Sequence, residues 1–334
     1  PATRPAAGGA SAGPLGPLPD WKVVPLRQRA LDSLMRAERS LGTLGVWTPQ
    51  PYGLLSGYGV QRSDASGRPL DWAIDPSDSL IRLDMTYEHY GQIWRNVRRG
   101  VPVSIEAEVR SRVLPGNRQR SNVFAELRGT DKADEYVVIG AHLDSWHVGT
   151  GATDNGAGVV IMMEAMRILR ASGLQPRRTI RIGLWDPEER GPWGSQRWLA
   201  AHPELHSRIS AYFNVDNGSG RLRAVRLGSS AQAAPILTEL LLPLRDLGVA
   251  GVLTDAQRGQ SDHQAFEGVG IPAFDFAQDP LDYWQRTHHT SVDTYERLDI
   301  EDLKQAAVVI ASTAYLIANR DALMPRPAPR SRPK

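Results

Sequence analysis

The sequence contains no cysteine, few lysines and no long apolar run, and each absence narrows what the protein can be. Without cysteine there are no disulfides, no thiol nucleophile and no thiolate metal ligands. Any metal site must therefore use histidine and carboxylate side chains, a set of ligands that suits zinc, manganese or cobalt in hydrolysis. No stretch approaches the roughly 18 apolar residues of a membrane-spanning helix, so we expect no membrane span.

Positive charge comes almost entirely from arginine, because the 334 residues include only four lysines. The 39 basic residues are balanced by 37 acidic ones, which gives a net charge of +2. The acidic residues lie between the arginines along most of the chain, so no strongly cationic surface is expected. We therefore predict no nucleic-acid partner.

Composition and pattern divide the chain into four segments. Residues 1–20 are rich in proline, glycine and alanine and are predicted to be a disordered lead-in, and residues 325–334 are predicted to be a basic tail. Residues 21–116 have the mixed pattern of a small α+β module. In residues 117–324 strand-like and helix-like segments alternate, which predicts an α/β fold with three α/β/α layers around a mostly parallel mixed sheet.

The individual elements are predicted from the periodicity of apolar residues. Strands are expected at residues 101–109, 123–127, 137–141, 179–184, 211–215 and 272–276, and helices at residues 26–40, 87–98, 157–171, 195–201, 233–247 and 300–318. The chain begins with Pro1 and has no apolar leader, so we expect a processed or trimmed product.

Three of the predicted strands run into side chains of the kind that bind metals. His142 follows one strand and Asp216 follows another, and a third leads into the loop that carries Glu188 and Glu189. In parallel sheets, ligands gather outside the carboxyl ends of the strands. The sequence therefore predicts a metal site at this edge of the sheet.

Two further aspartates extend this set. Asp144 lies two residues after His142, where its carboxylate is placed to accept the second ring N–H of a metal-binding histidine. Asp154 lies in a glycine-rich loop before a helix, but the spacing of the glycines differs from that of a nucleotide-binding fingerprint. The alternatives are a buried histidine at a strand end for His142 and an ordinary helix N-cap for Asp154.

The adjacent carboxylates of Glu188 and Glu189 are the most informative pair. Among the apolar side chains of Trp185 and Trp193, they would repel each other unless positive charge lies nearby. A metal ion supplies that charge, and one glutamate can then bind it while the other acts as a general base. The alternative is a solvated acidic loop with Arg190 as its partner.

The motifs occur in one order that resembles the dizinc metallopeptidase family containing bacterial leucyl aminopeptidases, glutamate carboxypeptidase II and plasma glutamate carboxypeptidase. They occupy residues 140–145, 152–158, 187–195, 214–216, 261–263, 289–290 and 293–294. The run His-Leu-Asp-Ser-Trp at residues 142–146 is most similar to the plasma glutamate carboxypeptidase branch. The likeness extends from about Asn117 to the last predicted helix.

The resemblance implies a cluster of two zinc ions, with other divalent metals as alternatives. The implied ligands are His142, Asp154, Glu189, Asp216 and His289. In the family the residue matching Asp154 bridges both ions. One ion is completed by His142 and Asp216, and the other by Glu189 and His289. His289 is preferred over its neighbour His288 because it directly precedes a threonine.

The same resemblance implies an exopeptidase that acts on a peptide or dipeptide, as an aminopeptidase, a dipeptidase or a carboxypeptidase. Glu188 matches the general base, and Asp144 matches the residue that orients His142. Asp262, Tyr283 and His288 are candidates for lining the substrate site, with ordinary structural roles as the alternative.

The front module, residues 21–116, resembles the later part of a protease-associated domain, and whether it is truncated stays open. Because relatives with such an insert are commonly exported, the resemblance implies a secreted or periplasmic protein, with a homodimer as a further expectation. The competing functions are an inactive, receptor-like relative and a metal-dependent amide hydrolase or cyclase on the same scaffold. The Gly-x-Ser-x-Gly run at residues 9–13 lies in the predicted disordered lead-in and not between a strand and a helix, so it does not support a serine hydrolase. No His-Glu-x-x-His motif supports a one-zinc protease.

Overall fold

A computed structural model describes residues 31, 33–46, 53–55, 81–110, 120–146, 149–254 and 261–327. The predicted disordered lead-in and most of the predicted basic tail lie outside these residues. Contacts divide the chain into two units, one made of Pro1–Trp47 with Tyr58–Met85 and the other of Thr48–Gly57 with Thr86–Lys334. Among the described residues, no helix has the length and apolar character that crossing a membrane requires.

The smaller unit contains one two-stranded sheet. Strand β1 (Gly42–Gly45) pairs in parallel with strand β2 (Ile81–Asp84). Residues 33–37 before them are helical, within the predicted helix at residues 26–40.

In the larger unit, helix α1 (Tyr87–Arg98) lies where a helix was predicted. Its N-cap is Thr86, whose hydroxyl accepts a hydrogen bond from the backbone N–H of His89. The strand predicted at residues 101–109 is wrong, because residues 101–110 have no strand assignment and are exposed throughout. The alternating pattern of this segment indicates a strand only if another strand pairs with it, and the described part of the chain contains no such partner.

A seven-stranded mixed sheet forms the centre of this unit. Its strands are β3 (Val123–Leu127), β4 (Lys132–His142), β5 (Arg178–Trp185), β6 (Ile209–Asn214), β7 (Leu222–Arg226), β8 (Gly251–Leu253) and β9 (Ala273–Gln278). They lie in the order β3-β5-β4-β6-β9-β7-β8. The pairs β3–β5 and β9–β7 are antiparallel and the others are parallel. The predicted mostly parallel mixed sheet is confirmed.

Helices cover both faces of this sheet. They are α2 (Ala157–Ala171), α3 (Trp193–Ala201), α4 (Ala234–Leu240), α5 (His263–Gly268) and α6 (Ile300–Ala318). One core joins α2 and α6 to the sheet through residues such as Ile139, Ile161 and Ile310. The opposite core joins α3 and α5 to it around Trp185 and Phe266. This arrangement confirms the predicted α/β/α layers.

The helix predicted at residues 233–247 is divided in two. Helix α4 ends at Leu240, and a 3₁₀ segment follows at Leu242–Leu247. Pro243 explains the break, because it lacks the N–H that a continuous α-helix needs at that position.

The register of the central strands places the predicted site residues at one edge of the sheet. His142 of β4 pairs with Trp185 of β5, and Gly140 of β4 pairs with Asn214 of β6. The carboxyl ends of these three parallel strands are therefore level with one another, and the loops that leave them begin at the same edge.

Candidate metal centre

The carboxylate of Asp154 lies at the centre of the predicted ligands. Its Oδ1 is 3.3 Å from His142 Nε2, and its Oδ2 is 3.0 Å from His289 Nε2. Asp154 is only 4% exposed and lies in the turn Ala152–Gly156, immediately before α2. One carboxylate therefore faces two histidines on opposite sides.

His142 and Asp216 form what we call the strand half of the cluster, because both follow directly from central strands. His142 Nε2 is 3.0 Å from Asp216 Oδ1. The other ring nitrogen, Nδ1, donates to the backbone carbonyl of Asp144 at 2.8 Å. Because Nδ1 carries that proton, Nε2 is the nitrogen that can offer a lone pair to a cation.

Glu189 and His289 form what we call the loop half, because both lie on loops. His289 Nε2 is 3.1 Å from Glu189 Oε2. His289 has a φ of 59°, a left-handed conformation that non-glycine residues adopt rarely and at a cost. The neighbouring His288 stacks on His289 with ring centroids 3.8 Å apart, but its Nε2 is 4.0 Å from Asp154 Oδ2.

The carboxylate of Asp144 contacts the glutamate loop. Asp144 Oδ1 accepts the backbone N–H of Glu188 at 2.8 Å, and Oδ2 accepts that of Glu189 at 3.3 Å. The nearest approach of this carboxylate to His142 Nδ1 is 3.6 Å. In this structure, therefore, the main-chain carbonyl of Asp144 orients His142, while its side chain holds the two glutamates in place.

Glu188, the predicted general base, is 7% exposed beside the cluster. Burial raises its pKa well above the usual range, and the charges of Asp216 and Glu189 add to that rise, although His142 opposes it. A cation bound nearby would act in the opposite direction and favour the carboxylate.

The pKa values of the other carboxylates and histidines in the cluster are also shifted by burial and by their neighbours. Burial and the charge of Asp154 raise the pKa of Glu189 to about 7. Burial lowers the pKa of His289, but hydrogen bonds to Asp154 and Glu189 outweigh it and raise that pKa to about 9. For Asp154, burial is likewise outweighed, and the hydrogen bonds from His142 and His289 hold its pKa well below the usual range.

The donor set fits divalent cations. His142, Asp154 and Asp216 offer ligand atoms that lie within 4.8 Å of one another, and Asp154, His288 and His289 do the same. In addition, Glu189 Oε1 is buried and has no hydrogen-bond partner among the described residues. Imidazole and carboxylate groups are typical zinc ligands, and a cation would satisfy this oxygen.

The three predicted substrate residues occupy different positions. Asp262 is completely buried, and its Oδ1 accepts a hydrogen bond from Ser195. Tyr283 is 4% exposed, with its ring 5.0 Å from that of His288. His288 is partly exposed, and burial together with the charge of His289 lowers its pKa to about 4. The structure thus brings Tyr283 and His288 together and leaves Asp262 beneath the surface.

Asp293 supports the site without having been assigned a role from the sequence. Its Oδ1 accepts the backbone N–H of Thr153 at 2.6 Å, and its Oδ2 accepts that of Asp154 at 3.1 Å. It therefore fixes the turn that presents the central carboxylate. The available signal was its position four residues after His289, within the matched motif.

Trp146 was also not singled out as a site residue. Its ring lies 5.8 Å from that of His289, and the guanidinium of Arg190 lies 5.3 Å from the Trp146 ring centroid. This pair forms an aromatic and cationic wall beside the loop half.

Comparison with known proteins decides the family. Residues 122–314 match the model described as Peptidase family M28. The chain belongs to this family. The match covers the sheet and every residue of the cluster, and the predicted resemblance is confirmed.

Curated relatives include carboxypeptidase Q from several vertebrates. The rat protein is 30% identical over 242 residues, which cover 72% of this chain and 50% of the rat chain. The mouse protein is 31% identical over 242 residues, which cover 72% of this chain and 51% of the mouse chain. The M28 chain described here therefore spans about half the length of the curated relatives it matches.

Solved structures support the same fold. A peptidase M28 precursor from Shewanella amazonensis superposes with a TM-score of 0.65 at 28% identity, covering 77% of this chain and 57% of that chain. An aminopeptidase from Aneurinibacillus sp. strain AM-1 gives a TM-score of 0.52 at 25% identity, covering 78% and 60%.

Proposed function

We propose that this protein is a zinc-dependent exopeptidase that hydrolyses a terminal peptide bond. The observation that carries the proposal is that His142 and His289 both face Asp154, and that each histidine also contacts a further carboxylate. These carboxylates belong to Asp216 and Glu189, and the buried Glu188 lies beside them. Membership of a peptidase family supports it.

We assign the ligand roles from the geometry of the two halves. His142 and Asp216 would hold one zinc ion, Glu189 and His289 would hold the other, and Asp154 would bridge both. When bound, the ions would supply the positive charge that polarises a carbonyl group and acidifies a water molecule.

Glu188 is the proposed general base. Its carboxylate would take the proton from the attacking water and return it to the departing amine. Asp144 would keep Glu188 in position, because its carboxylate accepts the Glu188 backbone N–H. A group that acts first as a base and then as an acid benefits from a raised carboxyl pKa, and burial together with the charges of neighbouring carboxylates raises the pKa of Glu188.

Among possible substrates we favour dipeptides, because the relatives include proteins called carboxypeptidase Q while the similar solved structures include an aminopeptidase. A dipeptide has both free termini and would satisfy either kind of exopeptidase. Tyr283 and His288 would line the substrate side of the cluster, and Asp262 would support it from below. We also propose, from the family resemblance, a secreted or periplasmic location and a homodimer.

The test measures zinc content and hydrolysis on the same sample. A panel of unblocked dipeptides, aminoacyl-anilides and N-blocked peptides would be given to the wild type, to Glu188→Gln and to Glu239→Gln, a control on an exposed face of α4. We expect about two zinc ions per chain in all three proteins. We expect activity to fall by about 10²- to 10⁴-fold in Glu188→Gln only.

Each other outcome has a defined meaning. Folded wild-type protein without bound metal would contradict the proposal outright. Bound metal without cleavage of any peptide would favour the receptor-like relative, and release of a cyclised or deacylated product would favour an amide hydrolase or cyclase. Cleavage that is unchanged in Glu188→Gln would remove the assigned base.

A further inference from the structure

The segment that leaves β6 carries Asp216 and is held by side chains of the neighbouring strand β9. Strand β6 ends at Asn214, which pairs with Asp275 of β9. Asn217 follows directly after Asp216 and is only 8% exposed. Its Nδ2 donates to Oδ2 of Asp275 at 2.9 Å and to Oδ1 at 3.1 Å. Both oxygens of a buried carboxyl group are therefore directed at one amide group beside a proposed metal ligand.

A second side chain of β9 holds the main chain of the same segment. Gln278 Oε1 accepts the backbone N–H of Asn217 at 3.1 Å. Its Nε2 donates to the carbonyl groups of Gly218 and Gly220 at 3.0 and 3.1 Å. Gly218 has a φ of 96°, and a Cβ atom there would lie 2.9 Å from Cγ of Tyr283. The segment therefore follows one narrow path, which β9 fixes.

On the other side of Asp216, the chain is held by the turn before α2. Asn155 Nδ2 donates to the carbonyl oxygen of Val215 at 2.9 Å. Oδ1 of Asp216 itself lies 3.0 Å from His142 Nε2. Because the rotamers open to a side chain depend on the backbone at its Cα, the contacts of Val215 and Asn217 decide where the Asp216 carboxylate points.

The presence of Asp275 at this position is costly for the fold. Phe274 and Phe276 flank it in β9, and all three side chains are buried. Burial of a carboxylate costs free energy, and Asp216 adds a like charge nearby. Arg226 Nη1 is 3.9 Å from Asp275 Oδ2, which is beyond hydrogen-bond distance. A buried polar pair that costs stability is expected where it fixes the geometry of a site.

We propose that Asn217 is a positioning residue for the strand half of the metal centre. Held by Asp275 and Gln278, it fixes the backbone from which the Asp216 carboxylate reaches a cation. The inference rests on the proposed function, because that proposal assigns Asp216 as a ligand. It adds that the affinity of the strand half for its ion depends on hydrogen bonds made by a residue that does not touch the ion.

The test measures zinc affinity by competition with a chromophoric chelator. Asn217→Ala removes the amide, and the exchange variant, Asn217→Asp with Asp275→Asn, restores a hydrogen bond with donor and acceptor reversed. Asp216→Asn identifies the binding step that belongs to the strand half. Asn319→Ala is the matched control, because it removes an asparagine whose Nδ2 donates to the carbonyl oxygen of Tyr315 at 2.8 Å at the end of α6.

We expect Asn217→Ala to weaken one of the two zinc-binding steps by about 10- to 100-fold, and this step should be the one that Asp216→Asn weakens. The exchange variant should bind that ion more tightly than Asn217→Ala does, and Asn319→Ala should match the wild type. Circular dichroism checks that each protein is folded. If Asn217→Ala does not fold, Asn217→Ser gives the same comparison, because its hydroxyl is too short to reach Asp275.

The outcomes separate this inference from the peptidase proposal. Unchanged zinc affinity in folded Asn217→Ala overturns the positioning role, even if the wild type cleaves peptides. An equal loss of affinity in Asn217→Ala and Asn319→Ala, or a loss spread equally over both ions, overturns it as well, because general destabilisation would explain either result. If Asn217→Ala weakens the expected step but the wild type cleaves no peptide, the positioning role stands and the peptidase proposal fails. Folded wild type that binds no zinc overturns both.

Discussion

The two halves of the cluster are built in different ways, although each contributes one histidine and one carboxylate. In the strand half, His142 ends a central strand and Asp216 follows another, so the hydrogen bonds of the sheet set their separation. In the loop half, Glu189 and His289 depend on loop contacts, including the carboxylate of Asp144 and the left-handed backbone at His289. The comparison teaches that one half is positioned by the fold and the other by a few hydrogen bonds.

Asp154→Asn should impair both halves of the cluster together, because Asp154 faces a histidine of each half. We expect loss of both metal ions on dialysis and an activity below detection. Metal analysis with circular dichroism would measure this, and Asp216→Asn provides the contrast because it should weaken the strand half first. Retention of both ions by folded Asp154→Asn would show that the halves are independent sites.

Asp144→Asn should separate the halves. The substitution leaves the backbone carbonyl that holds His142 but replaces one of the two side-chain oxygens by an NH2 group, so that only one of the two loop N–H groups keeps its acceptor. We expect a fall in kcat of about 10- to 100-fold, with metal retention in the strand half close to that of the wild type. If the ion assigned to His142 is lost first, the result would instead support the prediction that the side chain of Asp144 orients His142.

Asp275 lies on the strand beside the strand half, and its protonation makes the stability of the folded protein depend on pH. This residue pairs with Asn214 across β9 and β6, and burial, with the charge of Asp216, raises its pKa to about 8. Since the unfolded carboxyl has a lower pKa, its burial costs stability progressively as pH rises from about 4 to about 8.

Asp275→Asn should remove this cost. Its free energy of unfolding relative to the wild type should rise between pH 5 and pH 7.5 by up to about 3 kcal/mol, measured by urea denaturation. A difference that does not change with pH would mean that Asp275 keeps an ordinary pKa in the folded protein.

The smallest effect should come from a residue that belongs to neither half. Asp299 caps α6 by accepting the backbone N–H groups of Glu301 and Asp302. Asp299→Ala should lower the free energy of unfolding by about 1 kcal/mol and leave metal content unchanged. Loss of metal in this variant would show that metal binding depends on the overall stability of the protein. Differences in metal content between variants of the two halves could then not be assigned to either half.

Much of the fold was predictable because its core strands are continuous apolar runs with clear ends. Helices α1, α2 and α6 begin and end at the residues predicted from their periodicity. Strand β8 and helix α5 were missed because so few residues leave no measurable period. Strand β7 was missed because its two arginines interrupt the apolar pattern. The strand predicted at residues 101–109 was wrong because an alternating pattern does not reveal whether another strand pairs with the segment.

For the site, the residue types and their order predicted which side chains come together around Asp154. They could not predict which atom makes each contact. The role of the Asp144 main chain depends on how the chain turns after His142, and spacing does not record that. The contact between Asn217 and Asp275 was equally hidden, because the two residues are distant in sequence and become neighbours only through the pairing of β6 with β9.

The loop half has a consequence for how the protein matures. His289 follows β9, which is the last strand of the sheet along the chain, and its Nε2 lies 3.0 Å from Asp154 Oδ2. A growing chain that has emerged as far as Asp216 already carries His142, Asp154, Glu189 and Asp216, but it still lacks His289. The loop half can therefore form only after the chain has been synthesised as far as His289, whereas both side chains of the strand half are present once Asp216 has been synthesised.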